Sequence, residues 1–170
     1  MIKINVGCGP FRAEGWINTD LVETDTIKPD VIDSDLSSFD DEYADQIYLG
    51  HILEHIVWEE VPQFIDEVYR VLKPGGVLCI VGPDIWRALI QWKKGELSKK
   101  DLDTILEGNY GLNVWDGTRH YWNSSLERTL TVLDSNKWSI RQVGITGREL
   151  DQFPVVSRVQ WQFGILATKK

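Results

Sequence analysis

Residues 61–84, VPQFIDEVYRVLKPGGVLCIVGPD, decide how this chain folds. Val57, Val61, Phe64, Ile65, Val68, Val71 and Leu72 recur at steps of three and four, so they form one apolar stripe on a helix. Lys73-Pro74-Gly75-Gly76 stops that helix, with proline and glycine in breaker positions. Val77 to Val81 then runs apolar without alternation, the mark of a central parallel strand covered on both faces. A helix feeding a doubly buried strand is half of an α/β unit.

Working outward, Ile2–Val6, Trp16–Asp20, a short piece within Asp30–Asp35 and Gln46–Leu49 read as four strands before the helix. After Asp84, helices are expected over Ile85–Lys94 and Ser98–Leu106, and a loop over Asn109–Thr118. A further helix, with Ser124 and Glu127 as a capping box, runs to about Asn136. Trp138–Thr146 and Val159–Thr168 close the chain as strands, with an antiparallel pair expected at one edge of the sheet. Alternating β and α units imply a mostly parallel sheet in one domain spanning residues 1–170. Ligands of such sheets lie beyond the carboxyl ends of the strands. Gly7–Gly9, Asp20, Asp35, Gly50-His51 and Pro83-Asp84 all fall there.

The chain has 170 residues and a net charge of −8, from 18 Lys plus Arg against 26 Asp plus Glu. No basic face for nucleic acid is expected, nor any membrane span, since no apolar run approaches roughly 18 residues. Two cysteines, Cys8 and Cys79, cannot build a disulfide framework, and a cytoplasmic protein is expected.

Gly7-Cys8-Gly9 after a strand opens a nucleotide loop, but Arg12 stands where a dinucleotide fingerprint needs its third glycine. Asp20, ending the next strand, suits a ribose. Only Pro10–Gly15 lies between, too little for the helix whose N-terminus would hold a pyrophosphate. S-adenosyl-L-methionine has no phosphate, and the missing helix favours it over NAD or FAD.

INVGCGP…GWINTDL, DVIDSDLSSF, DQIYLGHILEHI and VYRVLKPGGVLCIVGPD resemble the class I (Rossmann-type) S-adenosylmethionine-dependent methyltransferases, in particular small members with a short first crossover. The resemblance is dense over residues 2–84. It implies a three-layer α/β fold whose seven-stranded sheet has one reversed strand at its edge. It also implies that Gly7, Cys8 and Gly9 line the methionine end, that Asp20 holds the ribose, that Asp35 and Leu36 meet the adenine, and that the backbone of Leu49 and Gly50 meets the amino group. Asn5 departs from the acid often found there.

Methyl transfer needs alignment first and a base second. His51 is the first choice of base, Asp84 the second and His120 the third. The acceptor is expected to be a small molecule or glycan precursor, methylated on oxygen or nitrogen. A module that binds the cofactor without turnover is the alternative. A remoter one is a zinc hydrolase, since His51-Ile52-Leu53-Glu54-His55 matches H-x-x-E-H. Eight tryptophans are present. Trp86, Trp92, Trp115 and Trp122 fall in residues 85–123, an expected acceptor-binding lid, where core packing is the first expectation and a homodimer surface another.

Overall fold

The computed structural model describes residues 1–107, 119–155 and 158–170. The expected loop Asn109–Thr118, with Trp115, lies outside them. Strands β1 (Lys3–Val6), β2 (Ile17–Asp20), β3 (Val31–Ile32) and β4 (Ala44–Gly50) precede helix α1 (Val61–Val71) and strand β5 (Leu72–Pro83). Helices α2 (Ile85–Lys93), α3 (Lys99–Glu107) and α4 (Leu126–Leu130) follow, then β6 (Trp138–Val143) and β7 (Gln162–Lys169). All seven strands join one sheet in the order β3-β2-β1-β4-β5-β7-β6.

β1 to β5 pair in parallel, and β7 runs antiparallel to both β5 and β6. The reversed strand therefore sits one place in from the edge, not at it. A loop between β6 and β7 lets β7 turn back against β5, whose register with it is unbroken from Val77–Thr168 to Pro83–Gln162.

The period of two in β4 and β5 sorts the core. Ile47, Leu49, Leu78 and Ile80 face α1 and the Trp122–Leu133 segment. Tyr48, Cys79 and Val81 face the other way, onto Trp16, Leu150 and Phe153. This second face is thinly roofed, by a 3-10 turn at Arg148–Leu150 and aromatic rings. It is the face that the missing first crossover helix leaves open.

Helix α1 buries Val61, Phe64, Ile65, Val68 and Val71, as its stripe predicts. It starts later than expected, because Trp58–Glu60 forms a separate 3-10 turn and Pro62 then occupies the first helical turn. Leu72 takes extended backbone and begins β5, five residues before the expected strand. The cap of α4 is also displaced by one: Ser125, not Ser124, accepts from Arg128 N at 3.2 Å. Ser98 caps α3, accepting from Asp101 N at 3.1 Å.

Candidate functional site

The carboxyl ends of β1, β2, β3 and β4 open onto one cleft of about 780 Å³, within the range of small-molecule sites. Gly7, Gly9, Asp20, Asp35 and His51 line it. The chain returns from β1 to β2 without a helix. A polar bracket does the helix's work. Asn18 Oδ1 accepts from Ala13 N at 2.7 Å and from Asn5 Nδ2 at 3.0 Å, while Asp30 Oδ2 accepts from Asn18 N at 2.8 Å. Arg12 donates to Asp30 and to the Lys28 carbonyl. Asn5, which departs from the expected acid, is thus a buried brace of the glycine loop.

The two glycines do different things. Gly7 has φ +60°, and a Cβ there would lie 2.0 Å from Ile52 Cδ1. It is bare because Ile52 lies against it. Gly9 has φ +53°, and a Cβ there would meet nothing within 4 Å. Gly9 is the open main chain that a ligand can approach. Its N–H donates to Asp20 Oδ2 at 2.8 Å, so Asp20 fixes the loop as well as facing the cleft. Its Oδ1 also accepts from Val22 N at 3.4 Å, and a carboxylate has lone pairs to spare for ribose hydroxyls after those two bonds. Cys8 is buried, and burial followed by the charge of Asp20 pushes its thiol up to about 11.

Asp33, missed in the sequence, organises the next turn. Its carboxylate accepts from Asp35 N at 2.8 Å, Leu36 N at 2.5 Å and Ser38 N at 2.8 Å. The signal was legible in Asp33-Ser34-Asp35, since aspartate bonds backbone a few residues on. Asp35 is exposed on the cleft wall, and its hydrogen bonds from Ser37 lower its pKa. Leu36 differs from expectation: its side chain is in the core, its N–H is taken by Asp33, and its φ is +65°. Leu49 is buried, and a Cβ on Gly50 would strike the Tyr48 hydroxyl at 2.4 Å and its ring at 2.5 Å. Both keep only backbone for a ligand.

The three candidate bases part company. Asp84 is the N-cap of α2, accepting from Trp86 N and Arg87 N, and it is ion-paired with Arg87 at 3.1 Å. Burial raises its pKa, partly offset by Arg87. It is a structural cap outside the cleft lining. His51 ends β4 with φ +58°, uncommon for a residue with a side chain. Gln162 accepts from Val159 N through Oε1, so its Nε2 donates to His51 Nε2 at 2.6 Å. His51 Nδ1 lies 3.2 Å from Glu54 Oε1. His120 stands beside His55, ring centroids 4.9 Å apart, and burial lowers its pKa. H-x-x-E-H here is not a helical motif: residues 53–55 form a single 3-10 turn after the strand-end His51. The two histidines of the motif therefore do not share one helix face.

In the 85–123 segment, Trp122 is core and its Nε1 donates to the Leu53 carbonyl at 2.9 Å. Trp86 and Trp92 are exposed, contrary to the packing expectation, because the buried side of α2 is filled by Ile85 and Ala88.

Asp20, Asp33, Asp35, Glu60 and Glu67 all line the cleft, and no lysine or arginine does among the described residues. Such walls repel a pyrophosphate and suit a sulfonium. With the open main chain at Gly9 they fit S-adenosylmethionine.

Comparisons agree. Residues 17–80 match the family model described as a methyltransferase domain. No curated protein sequence matches the chain. A SAM-dependent methyltransferase from Archaeoglobus fulgidus superposes with a TM-score of 0.63 at 18% identity, over 98% of this chain and 85% of its own. The YcgJ protein of Bacillus subtilis gives 0.61 at 13%, over 99% and 91%. A SAM-dependent methyltransferase from Methanosarcina mazei gives 0.59 at 16%, over 98% and 91%. In strand order and superposition the chain has the fold of class I, Rossmann-like methyltransferases, and its residues 17–80 match a methyltransferase domain.

Proposed function

We propose that the chain methylates a small acceptor at a hydroxyl or amine, using S-adenosylmethionine. A free metabolite or an uncharged sugar of a glycan precursor fits this reading. The observation that carries it is the acidic cleft, whose described lining holds five carboxylates and no lysine or arginine, beside the open backbone of Gly9. The same walls disfavour a phosphorylated acceptor.

When bound, the cofactor supplies an electrophilic methyl group. The chain's residues do the rest. Gly9 and Asp20 hold one end of the cleft, and Asp35 presents a carboxylate for an exocyclic amine. Main chain at Leu49 and Gly50 is the proposed contact for the amino acid end. Of the three candidate bases His51 alone lines the cleft. It takes a proton from an acceptor hydroxyl by exchanging its Gln162 bond for one to the acceptor, with Glu54 beside Nδ1.

Calorimetry with S-adenosylmethionine, S-adenosylhomocysteine and NAD tests the cofactor. S-adenosylmethionine is expected to bind, its affinity falling more steeply with salt than that of net-neutral S-adenosylhomocysteine, and NAD is expected not to bind. Preference for NAD overturns the reading. Labelled-methyl transfer to a panel of hydroxyl and amine acceptors tests turnover. The His51→Ala variant is expected to lose kcat with cofactor affinity retained.

A binding module without turnover is the second reading. It is favoured by one observation, that both ring nitrogens of His51 already face partners. Cofactor binding with no transfer to any acceptor decides for it.

A further inference from the structure

The chain has three histidines, and all three gather around one buried carboxylate, that of Glu54. We propose that Glu54, His55 and His120 form a binding site for a divalent transition-metal ion, set in the wall of the cleft. One ligand atom from each residue lies within 4.8 Å of the others. Glu54 is 1% exposed, and its Oε1 has His51 Nδ1 at 3.2 Å and no further hydrogen-bond partner among the described residues. A buried carboxylate oxygen in that state calls for a cation.

Both imidazoles are already oriented by backbone carbonyls. His55 Nδ1 donates to the Arg119 carbonyl at 3.1 Å, and His120 Nδ1 donates to the Ile105 carbonyl at 2.9 Å. Each bond fixes the tautomer and leaves Nε2 as the lone-pair nitrogen, the arrangement that metal-bound imidazoles adopt. Ligands distant in sequence are held together by backbone. Tyr121 N donates to the Glu54 carbonyl at 2.9 Å, and Trp122 Nε1 bonds the carbonyls of Leu53 and Ile56.

Two imidazoles and one carboxylate select zinc, cobalt, nickel or ferrous iron over magnesium or calcium. Ligand atoms about 2.0–2.2 Å from one metal lie no more than about 4.4 Å apart, a spacing compatible with three atoms all within 4.8 Å of one another. Three protein ligands leave a position open, and His55 lies on the cleft wall. The site stands whether or not the chain transfers methyl groups.

The test uses the untagged chain, stripped with chelator and titrated with Co²⁺ alone while its visible ligand-field bands are followed. Zn²⁺ calorimetry on the same protein counts the sites. One equivalent is expected, and His55→Ala and His120→Ala should each weaken it by at least about tenfold. Glu23→Gln, an exposed acid paired with Lys28, should leave it unchanged. His55 is partly exposed, so its variant keeps the test sound should His120→Ala fail to fold. Absent cobalt bands, or binding that His55→Ala leaves intact, overturns the proposal. S-adenosylhomocysteine affinity, measured on the metal-free protein, reports separately on the cofactor reading.

Discussion

Gly7 and Gly9 look alike in sequence and answer to different neighbours. Gly7 needs its left-handed φ and also the space that Ile52 fills, whereas Gly9 needs only the φ. A left-handed residue with a side chain costs about 1–2 kcal/mol, and overlap with a packed neighbour costs about as much again. Gly7→Ala is therefore expected to destabilise the protein by about 2–4 kcal/mol, and Gly9→Ala by about 1–2 kcal/mol. Adding Ile52→Ala to Gly7→Ala should recover part of the loss, because Cδ1 is the clashing atom. Urea unfolding of the three variants checks this, and an equal cost at both glycines would contradict it. Gly9→Ala should instead show its main effect in cofactor affinity. The same scale explains Asp84: a cap and a base look identical in sequence, and only its bonds to Trp86 N and Arg87 N show which it is.

At the scale of elements, the crossover from β1 to β2 is a loop held by side chains. Asp30 is its key. The Asn18 backbone N–H, then Arg12 and the Asn18 side chain, lower its pKa to about 2 from an ordinary value near 3.8. A depressed carboxylate pKa contributes stability above its unfolded pKa and loses it as pH falls through the folded one. The contribution is thus complete above about pH 5 and lost progressively down to about pH 1. Asp30 is partly exposed, so solvent screening keeps it modest. Asp30→Asn should flatten the fall in Tm across that window, as read by thermal melts from pH 6 to pH 2. An unaltered slope would show that the bracket does not hold the crossover.

At the scale of the whole molecule, the sheet separates two cores, and the tryptophans divide accordingly. Trp122 joins the larger core and bonds the turn that carries Glu54, while Trp86 is 60% exposed on α2. Trp122→Ala is expected to cost about 3–5 kcal/mol, and Trp86→Ala no more than about 0.5 kcal/mol. Chemical denaturation of the two variants checks the contrast. Because Trp122 ties residues 119–122 to residues 53–56, its loss should also disperse the histidines, and Co²⁺ binding should weaken together with stability. No helix among the described residues is long and apolar enough to cross a membrane.

The sequence by itself determined the alternation of strand and helix, the breaker at Lys73–Gly76 and the absent first crossover helix. These are local matters, set by period, by proline and glycine, and by the number of residues available between two strands. The same local logic placed Gly9, Asp20, Asp35 and His51 at strand ends, where the cleft opens. Only tertiary structure decided that β7 lies inside β6, that Leu36 is core, that Asp84 is a cap, and that His120 meets Glu54. For β7, Leu36 and His120 the reason is a partner distant along the chain: β5 for β7, the α1 side of the core for Leu36, the turn at 53–56 for His120; for Asp84 it is the direction its carboxylate takes, back onto the N–H groups of α2. Spacing in sequence records none of those distances.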